Sequence, residues 1–302
     1  MNEALADPAV ALAPDEVPLG SGCTSDVFAW SAGWVVKLFR ENYPLRHIEH
    51  EACIAGHVFA LCKGASGFRV PAVGRIVSVG RRSGLLYESA NGRPLLRVLR
   101  EQNGPAMLAR CGRQLAELHA MVHRSCADSI ARCGQLPLQH ETLRVSIEAA
   151  PGLSDRIRCA ALRSLDEMRP CCQTLCHGDF HPSNVLLSDD GGFAVLDWVA
   201  AGRGEAMGDV ATTSLLLRFG RVSPTRAFTC EEQAARLQVH DAYLQRYFET
   251  NPAAGGAEQL GRWLPLVAGA RLNDAAIGDA ERRALMRVAN TLDAPAQAPL
   301  QP

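Results

Sequence analysis

The segment from Leu175 to Trp198, LCHGDFHPSNVLLSDDGGFAVLDW, constrains the fold of this chain more than any other part of the sequence. Its two apolar runs, NVLL and FAVLDW, are typical of short buried strands, and the turn SDDGG joins them. The loop before the first run carries His177, Asp179, His181 and Asn184. Because ionisable groups are costly inside an apolar segment unless they are paired or used, this pattern indicates a chemical site beside the two strands.

The first part of the chain has a β-rich pattern. In VPLGSGCTSDVFAWSAGWVVKLF, valines and aromatic residues flank GSG and follow SAG. This predicts two strands joined by a glycine-rich turn, then a tight hairpin and a third strand that carries Lys37. Ile48, Val58 and Leu61 recur at helical spacing, so a helix follows that strand. Short strands with glycine turns return in FRVPAVGRIVSVGRRSGLLYES, and this β-rich region ends near Glu88.

The rest of the chain is mainly helical. The segment GPAMLARCGRQLAELHAMVH has one continuous apolar face, which predicts a long buried helix. That face consists of Leu108, Cys111, Leu115, Leu118 and Val122. Further helices are predicted at roughly 140–150 and 153–168, and from about 206 onward.

These patterns predict an α+β chain with two lobes. The small β-rich lobe spans 17–88, and the larger, mainly α-helical lobe spans 89–292. A flexible N-terminus at 1–16 and a proline-rich, disordered tail at 293–302 flank them.

The charge balance disfavours several function classes. The 302 residues include 31 basic and 32 acidic residues, for a net charge of -1, so no overall field attracts nucleic acid or an anionic membrane. The first residues, MNEALADPAVALAPDE, carry acids where a secretory signal needs positive charge. No run reaches the roughly 18 uninterrupted apolar residues of a membrane helix. We therefore expect a cytoplasmic protein that binds neither nucleic acid nor membrane.

The eleven cysteines are scattered and odd in number, without a CxxC pair, which favours reduced thiols over a disulfide framework. The tightest group comprises Cys171, Cys172, Cys176 and His177. A zinc site of the finger type needs a second pair of ligands at characteristic spacing, and the sequence has none. Zinc is therefore the less favoured interpretation of this group.

The N-terminal strands carry candidates for nucleotide binding. Transfer of a γ-phosphoryl group requires backbone amides over the phosphates, a cation beside them, oxygen ligands for Mg²⁺ and a carboxylate facing the acceptor hydroxyl. The segment GSGCTSDV, with Gly20, Gly22, Ser25 and Val27, matches the glycine-rich loop of kinases, except that Ser25 replaces the third glycine. Lys37 lies on the strand after this hairpin, where kinases carry their phosphate-binding lysine.

A glutamate on the next helix would hold Lys37 toward the nucleotide. Glu51 is the better candidate and Glu49 the weaker one. An exposed helix glutamate is the alternative interpretation for either residue.

The spacing of the polar loop is that of a catalytic loop. His177, Asp179 and Asn184 reproduce the pattern H-x-D-x-x-x-x-N, and Asp197 stands at the end of the following strand in VLDW. Asp179 would orient or accept the proton of the acceptor hydroxyl. Asn184 and Asp197 would supply hard oxygen ligands to Mg²⁺.

The motifs HGDFHPSNVLL, AVLDW and AGRGEAMGDVA resemble those of the aminoglycoside phosphotransferase and choline kinase group of the protein-kinase-like superfamily. The resemblance spans roughly residues 17 to 220 and is most specific from His177 to Asp209. It implies the bilobal protein-kinase-like fold, with a nucleotide-binding N-lobe and a C-lobe that provides catalysis and binds the substrate.

The resemblance also implies individual roles. Asp209 fits an aspartate that supports the catalytic loop, although the sequence departs from the family pattern at Gly204 to Ala206 and puts that contact in question. Residues Glu88 to Ala90 would form the hinge whose backbone reads the adenine edge. His119 matches a frequent helix ending in the family, with a packing or capping role. His181 either lies near the γ-phosphate or braces the loop, and both interpretations stay open.

The expected acceptor is a small hydroxylated molecule. Protein kinases place a long activation segment and an A-P-E element after the metal-binding aspartate, but eleven residues separate Asp197 from Asp209 here and no A-P-E follows. A polycationic aminoglycoside would need several acids around its amino groups. From Ala200 onward the chain has eleven acids and eleven arginines, so antibiotic and metabolite acceptors both stay open. The candidate acceptor contacts are Glu205, Asp241, Arg271, Asn273 and Asp274.

The sequence thus predicts an ATP-dependent, Mg²⁺-requiring phosphotransferase that acts on a small-molecule hydroxyl, with GTP as the alternative donor. The main alternative is a catalytically silent kinase-like protein for ligand binding or regulation, which Ser25 and the altered RGEAMGDVA would favour. An atypical protein kinase is disfavoured by the short segment after Asp197. The acceptor, the choice between ATP and GTP, and the oligomeric state are left open.

Overall fold

The computed structural model describes residues 17–101, 104–168, 172–220 and 228–293. The predicted flexible N-terminus, the predicted tail beyond Asp293, and Cys171 lie outside these residues. Within them, no helix is both long enough and apolar enough to cross a lipid bilayer.

The N-lobe contains an antiparallel sheet, as predicted, with the strand order β1-β2-β3-β5-β4. Its strands are β1 (Gly20–Ser21), β2 (Ser25–Ser31), β3 (Trp34–Phe39), β4 (Val73–Val79) and β5 (Arg82–Glu88). The turn between β2 and β3 is tight because Gly33 has a φ of 78°, which only glycine adopts at little cost. The predicted strand carrying Lys37 is therefore confirmed as β3.

Helix α1 (Leu45–Leu61) connects β3 to β4, where the apolar spacing predicts a helix. Ile48 in its first half packs with Leu85 of the sheet. Ile54 and Val58 in its second half belong instead to the large apolar core of the helical lobe. Because α1 takes part in both cores, the two lobes are packed together, and the predicted boundary after residue 88 stays a prediction.

The C-lobe is mainly helical, which confirms the predicted α+β, bilobal architecture. Its helices are α2 (Leu95–Glu101), α3 (Pro105–Arg124), α4 (Ala127–Ile130), α5 (Gln139–Ala149), α6 (Asp155–Glu167), α7 (Ala206–Phe219), α8 (Cys230–Thr250), α9 (Gly256–Arg271) and α10 (Asp279–Ala289). The apolar face predicted for α3 is buried along its whole length. Helix α3 packs closely on α8, and a Cβ at Gly112 would lie only 2.5 Å from the carbonyl oxygen of Val239. Glycine at this position permits the close approach.

Two small sheets flank the polar loop at residues 177–184 in the C-lobe. The predicted hairpin is present as β8 (Val185–Leu187) and β9 (Phe193–Val195), and β6 (Arg93–Pro94) pairs with β8. Strand β9 ends at Val195, two residues before Asp197. The prediction that Asp197 stands at the end of this strand is therefore wrong. The second sheet pairs β7 (Thr174–Cys176) with β10 (Gly202–Gly204). The sequence does not predict it, because strands this short show no periodicity.

Candidate active site

Lys37 joins three parts of the chain. Its side chain is 14% exposed, and its Nζ lies 2.8 Å from Glu51 Oε1 on α1 and 3.0 Å from Asp197 Oδ1 after β9. Burial alone would lower the pKa of Lys37, but the carboxylates of Asp197 and Glu51 raise it above the ordinary value. Lys37 therefore stays protonated between the lobes. Of the two candidate glutamates it contacts Glu51, whereas Glu49 is exposed.

Glu51 has a second partner that sequence reasoning missed. The hydroxyl of Tyr87 on β5 donates to Glu51 Oε1 at 2.7 Å. Burial and the negative charge of Glu51 hold the pKa of Tyr87 well above its ordinary value, so the hydroxyl stays a donor. Tyrosine is common in strands, and nothing in the sequence distinguishes this one.

Asp197 has a left-handed backbone, with φ of 60°. This conformation costs a residue with a side chain roughly 1 kcal/mol or more, although aspartate tolerates it better than most. The chain passes here from β9 into a 3₁₀ turn (Trp198–Ala200), and the carboxylate faces Lys37. The side chain is 37% exposed, so part of the carboxylate remains accessible.

The catalytic loop runs from β7 to a 3₁₀ turn that ends at Asn184. The Nδ2 of Asn184 donates to the backbone oxygen of Asp179 at 3.0 Å and to its Oδ2 at 3.3 Å. The Nε2 of His181 lies 3.5 Å from the same Oδ2. Burial alone would raise the pKa of Asp179, but the hydrogen bond from His181 and the positive charge of Arg271 lower it to about 2. Asp179 is therefore ionised at neutral pH.

Two histidines fix the shape of this loop. His177 is fully buried, its Nε2 donates to the backbone oxygen of Leu196 at 2.9 Å, and its Nδ1 accepts the N–H of Asp179 at 3.2 Å. Burial lowers the pKa of His177, so the ring stays neutral in this tautomer. His181 Nδ1 accepts the N–H of Ser183 at 3.2 Å, so His181 braces the loop as well as facing Asp179. His177 thereby ties the loop to the segment that follows β9.

Asp209 on α7 supports the loop from within the core. Its fully buried carboxylate accepts the backbone N–H groups of His177 and Gly178, at 2.5 and 2.9 Å. On α3, His119 Nε2 and His123 Nε2 lie 3.0 and 3.3 Å from its Oδ2. Burial would raise the pKa of Asp209, but these two histidines hold it well below its ordinary range. The ionised carboxylate therefore fixes the start of the loop.

A second layer of this network escaped sequence reasoning. The hydroxyls of Tyr243 and Tyr247 on α8 lie 2.7 Å from Nδ1 of His119 and His123, respectively. Burial and the neighbouring His123 lower the pKa of His119 to about 3, so the ring is neutral. Its Nδ1 can then accept a hydrogen bond from the hydroxyl of Tyr243, while its Nε2–H donates to Asp209. The two histidines and Asp209 lie close enough to hold a metal ion, but hydrogen bonds already use their ligand atoms. The four-residue spacing of both pairs is the one sequence signal for this layer.

The segment that departs from the family pattern forms β10 and the start of α7. The side chain of Gln139 fills the space beside Gly204 and Gly208, and its Oε1 accepts the N–H of Glu205 at 3.0 Å. Asp209 keeps both backbone contacts despite the departure. Glu205 itself lines a separate cavity of about 430 Å³.

The glycine loop lies exposed between β1 and β2. The N–H of Gly22 donates to the backbone oxygen of Ser25 at 2.8 Å. A Cβ at Gly20 would meet no atom of the described residues within 4 Å, so packing among those residues does not require glycine there. A remaining reason for glycine at this position is that it lets a ligand approach the backbone closely. Ser25, at the position of the third glycine, is buried at the start of β2.

The side chain of Glu88 belongs to a separate ion pair. It accepts from Arg69 Nη2 at 2.9 Å and from the N–H of Ala72 at 3.2 Å. Ala90 lines a cavity of about 600 Å³ together with Phe193. The structure thus brings Lys37, Glu51 and Asp197 together and Asp179 and Asn184 together, and the hydrogen bond from His177 to Leu196 links the two groups. The side chain of Glu88 contacts neither group.

The cysteine group near the loop does not form a metal site among the described residues. The Sγ of Cys176 contacts the backbone oxygen of Glu205 at 3.6 Å, and both ring nitrogens of His177 are used within the loop. The zinc interpretation gains no support from this geometry.

Comparisons with known proteins identify the family and the fold. The family model described as "Phosphotransferase enzyme family" matches residues 15–254. A thermostable mutant of aminoglycoside phosphotransferase APH(4)-Ia, solved with ADP and hygromycin B, is 14% identical with a TM-score of 0.62, over 92% of this chain and 93% of that one. The GDP and kanamycin complex of APH(2")-IIia is 15% identical with a TM-score of 0.54, over 93% and 92%.

Choline kinase LicA from Streptococcus pneumoniae is 14% identical with a TM-score of 0.58, over 94% of each chain. No curated protein matches the chain. The similarity to the solved structures shows the fold, and with the family match it confirms the predicted family and bilobal architecture.

Proposed function

This chain belongs to the phosphotransferase enzyme family, and we propose that it transfers the γ-phosphoryl group of a nucleoside triphosphate to a hydroxyl of a small molecule with the help of Mg²⁺. The observation that carries the proposal is the position of Lys37 Nζ, 2.8 Å from Glu51 and 3.0 Å from Asp197. A cation on the N-lobe sheet thus lies beside a carboxylate of the C-lobe. Phosphoryl transfer depends chiefly on positioning and charge neutralisation, and this arrangement supplies both.

The donor set of the C-lobe fits Mg²⁺. Asn184 uses its Nδ2 for both hydrogen bonds with Asp179, so its Oδ1 is left as an acceptor. One oxygen of Asp197 faces Lys37, and its side chain is 37% exposed. Carboxylate and amide oxygens are the ligands that Mg²⁺ prefers. When bound, the ion would neutralise charge on the phosphates.

Asp179 faces the acceptor in this proposal. With a pKa of about 2 it is a weak base at neutral pH. It therefore orients the acceptor hydroxyl and receives its proton late, once the oxygen has begun to bond to phosphorus, as a loose transition state allows. Asn184 and His181 hold the carboxylate in place.

The N-lobe binds the nucleotide. The exposed backbone of Gly20 and Gly22 covers the phosphates, with Ser25 at the base of the loop, and Lys37 contacts the phosphate oxygens. The backbone from Glu88 to Ala90 reads the base. Related structures contain ADP or GDP together with an aminoglycoside, so ATP is the first donor to test and GTP the second.

The silent, regulatory alternative has less support. Lys37, Asp179, Asn184 and Asp197 are all retained, and Asp209 keeps its contacts with the loop. The cytoplasmic location and the absence of nucleic-acid and membrane partners stay predictions, and the oligomeric state is open.

Release of nucleoside diphosphate tests this function. The purified chain is incubated with Mg²⁺ and ATP or GTP and a panel of amino sugars, amino alcohols, sugars and hydroxylated amino acids, with Asp179→Ala as control. We expect acceptor-dependent release that Mg²⁺ removal and Asp179→Ala both abolish. Binding of nucleotide without acceptor-dependent release would favour the regulatory alternative, and release that persists in Asp179→Ala would contradict the assignment of Asp179.

A further inference from the structure

The hydroxyl of Tyr87 and the ammonium group of Lys37 share one oxygen of Glu51. Oε1 of Glu51 accepts from the hydroxyl at 2.7 Å and from Lys37 Nζ at 2.8 Å. Glu51 is 4% exposed, and among the described residues its carboxylate has these two hydrogen-bond partners. A carboxylate buried this deeply depends on its partners for its position, so both of them determine where Oε1 lies.

The ring of Tyr87 is held by packing that does not involve its hydroxyl. Tyr87 stands opposite Val35 where β5 pairs with β3. Lys37 stands opposite Leu85, so Tyr87 and Lys37 are diagonal neighbours on one face of the sheet. On that face the ring of Tyr87 packs against the apolar cluster that includes Leu85 and Ile48 of α1. A phenylalanine at this position would therefore keep the packing and remove only the hydroxyl.

Lys37 is held by two carboxylates that differ in what else they do. Its second partner, Asp197, lies 3.0 Å away and is a ligand of Mg²⁺ in the proposed function. Lys37 itself then meets the phosphates, so its contact with Asp197 competes with the metal-nucleotide complex. Glu51 is buried and has no contact with the nucleotide in that function. Because lysine is a point charge on a flexible four-carbon stem, its contact with Glu51 is the one that keeps the ammonium group in place.

We propose that Tyr87 is a positioning residue for phosphoryl transfer, whose hydroxyl fixes Oε1 of Glu51 and, through that oxygen, the ammonium group of Lys37. The inference rests on the proposed function and adds a residue to the same site. Without the hydroxyl, Lys37 is the one remaining partner of Oε1, and the two side chains can move together away from the phosphates. Phosphoryl transfer is sensitive to such a displacement, because it depends on positioning and charge neutralisation.

The variant Tyr87→Phe tests this role in the full chain, assayed with Mg²⁺, ATP and an acceptor that gives diphosphate release. We expect kcat/KM for ATP to fall about tenfold or more, as the loss of one hydrogen bond to a charged group predicts. The KM for the acceptor, which meets Asp179, should stay constant. Tyr43→Phe is the matched control and should have the kinetics of the parent protein. The ring of Tyr43 packs against the same apolar cluster, and its hydroxyl has no hydrogen-bond partner among the described residues.

A double-variant cycle separates positioning from a purely structural role. In a Glu51→Leu background the hydroxyl of Tyr87 has no carboxylate to hold, while Lys37 keeps Asp197 as a partner. Tyr87→Phe should then change kcat/KM for ATP by less than about twofold, because the two substitutions act on one contact. If the hydroxyl only stabilised the sheet, its removal would lower kcat/KM by the same factor in both backgrounds.

The two lysines of the chain allow the contact to be measured directly. Protein labelled with ¹⁵N-lysine gives two Nζ signals, from Lys37 and from the exposed Lys63. Tyr87→Phe should move the signal of Lys37 and leave that of Lys63 unchanged, and in the Glu51→Leu background it should move neither. This measurement needs no turnover, so it tests the contact even before an acceptor is known.

Three results would each overturn the inference. The first is a kcat/KM for ATP in Tyr87→Phe within about twofold of that of the parent protein. The second is an equal loss in the Glu51→Leu background, which would show that the hydroxyl does not act through this carboxylate. The third is a Lys37 signal that Tyr87→Phe does not move. All three leave the phosphotransferase proposal standing, which fails separately if the parent protein does not bind magnesium nucleotide.

Discussion

Asp179 and Asp197 are held in one site by the hydrogen bond from His177 to Leu196, yet their contacts differ. Asp179 is fixed by Asn184 and His181, whereas Asp197 faces Lys37 and remains partly accessible. The first arrangement suits a group that meets the acceptor, and the second suits a ligand of the metal-nucleotide complex. The two aspartates should therefore have separable effects on catalysis and binding.

We expect Asp179→Ala to lower kcat by about 10²- to 10⁴-fold, the usual contribution of a positioned general base, with little change in nucleotide affinity. Asp197→Ala should instead weaken Mg²⁺-dependent binding of a non-hydrolysable ATP analogue. Steady-state kinetics and calorimetric titration measure the two effects. Asp189→Ala, in the exposed turn after β8, is the control. Equal loss of nucleotide affinity in both site variants would contradict the separation of roles.

His119 makes stability depend on pH. Its pKa falls from the ordinary 6.5 to about 3, chiefly because of burial, so between these values the unfolded chain binds a proton that the native protein does not. Asp209, His123 and Tyr243 face the ring and leave no space to hydrate its charged form. The free energy of unfolding should therefore decrease as pH falls from 6.5 toward 3, with a slope of about 1.4 kcal/mol per pH unit for this group.

Urea unfolding at pH 7, 6, 5 and 4 measures the slope. His119→Gln keeps a hydrogen-bond donor but cannot titrate. The free energy of unfolding of this variant should therefore change less steeply with pH than that of the parent protein, by about 1.4 kcal/mol per pH unit. His50→Gln, an exposed histidine on α1, provides the matched control. An unchanged slope in His119→Gln would show that this ring does not titrate as described.

At the scale of elements, helix α8 reaches the catalytic loop through α3. Tyr243 and Tyr247 each contact one histidine of α3, and both histidines contact Asp209, which holds the loop backbone. Each hydroxyl keeps its histidine in the tautomer that presents Nε2–H to the carboxylate. The loop is therefore positioned by three helices and not only by the strands beside it.

We expect Tyr243→Phe and Tyr247→Phe each to lower the free energy of unfolding by about 1 to 3 kcal/mol, because a buried imidazole nitrogen loses its partner. The kcat should fall while the KM for ATP stays constant, because losing the hydroxyl displaces the catalytic loop and leaves the nucleotide-binding residues of the N-lobe in place. Kinetics, urea unfolding and imidazole ¹⁵N chemical shifts measure this. Tyr43→Phe is the control, because Tyr43 packs through its ring. Normal kcat and unchanged tautomers in both variants would exclude this positioning role.

The elements also show which parts of the site a sequence can predict. The glycine turn, Lys37 and the H-x-D-x-x-x-x-N loop are recognisable because each depends on residues close together in the chain. Tyr87 and the tyrosines of α8 are not, because a tyrosine on an apolar face is typical of any core. The pairing of β7 with β10 is equally hidden, since its partners lie far apart in sequence. The fold was thus predictable in outline, and the supporting contacts of the site were not.

At the scale of the molecule, the two lobes are joined by packing as well as by charge. Ile54 and Val58 of α1 lie in the same apolar core as Leu115 of α3, while Lys37 of β3 contacts Asp197 of the C-lobe. The sheet has its own small clusters, so it could unfold separately only by exposing the shared face of α1. That exposure costs roughly 25 cal/mol per Å² of apolar surface.

We therefore expect one cooperative unfolding transition for the described lobes. The four tryptophans allow a direct test, because Trp30 and Trp34 report on the sheet and Trp198 and Trp263 on the C-lobe. In one variant the first pair is replaced by phenylalanine, and in another the second pair. Within each variant, the midpoint of urea unfolding by fluorescence should equal that by far-ultraviolet circular dichroism, as a two-state transition requires. A fluorescence midpoint for the sheet that lies clearly below the dichroism midpoint would mean that the N-lobe unfolds alone, and that the shared core of α1 does not couple the lobes.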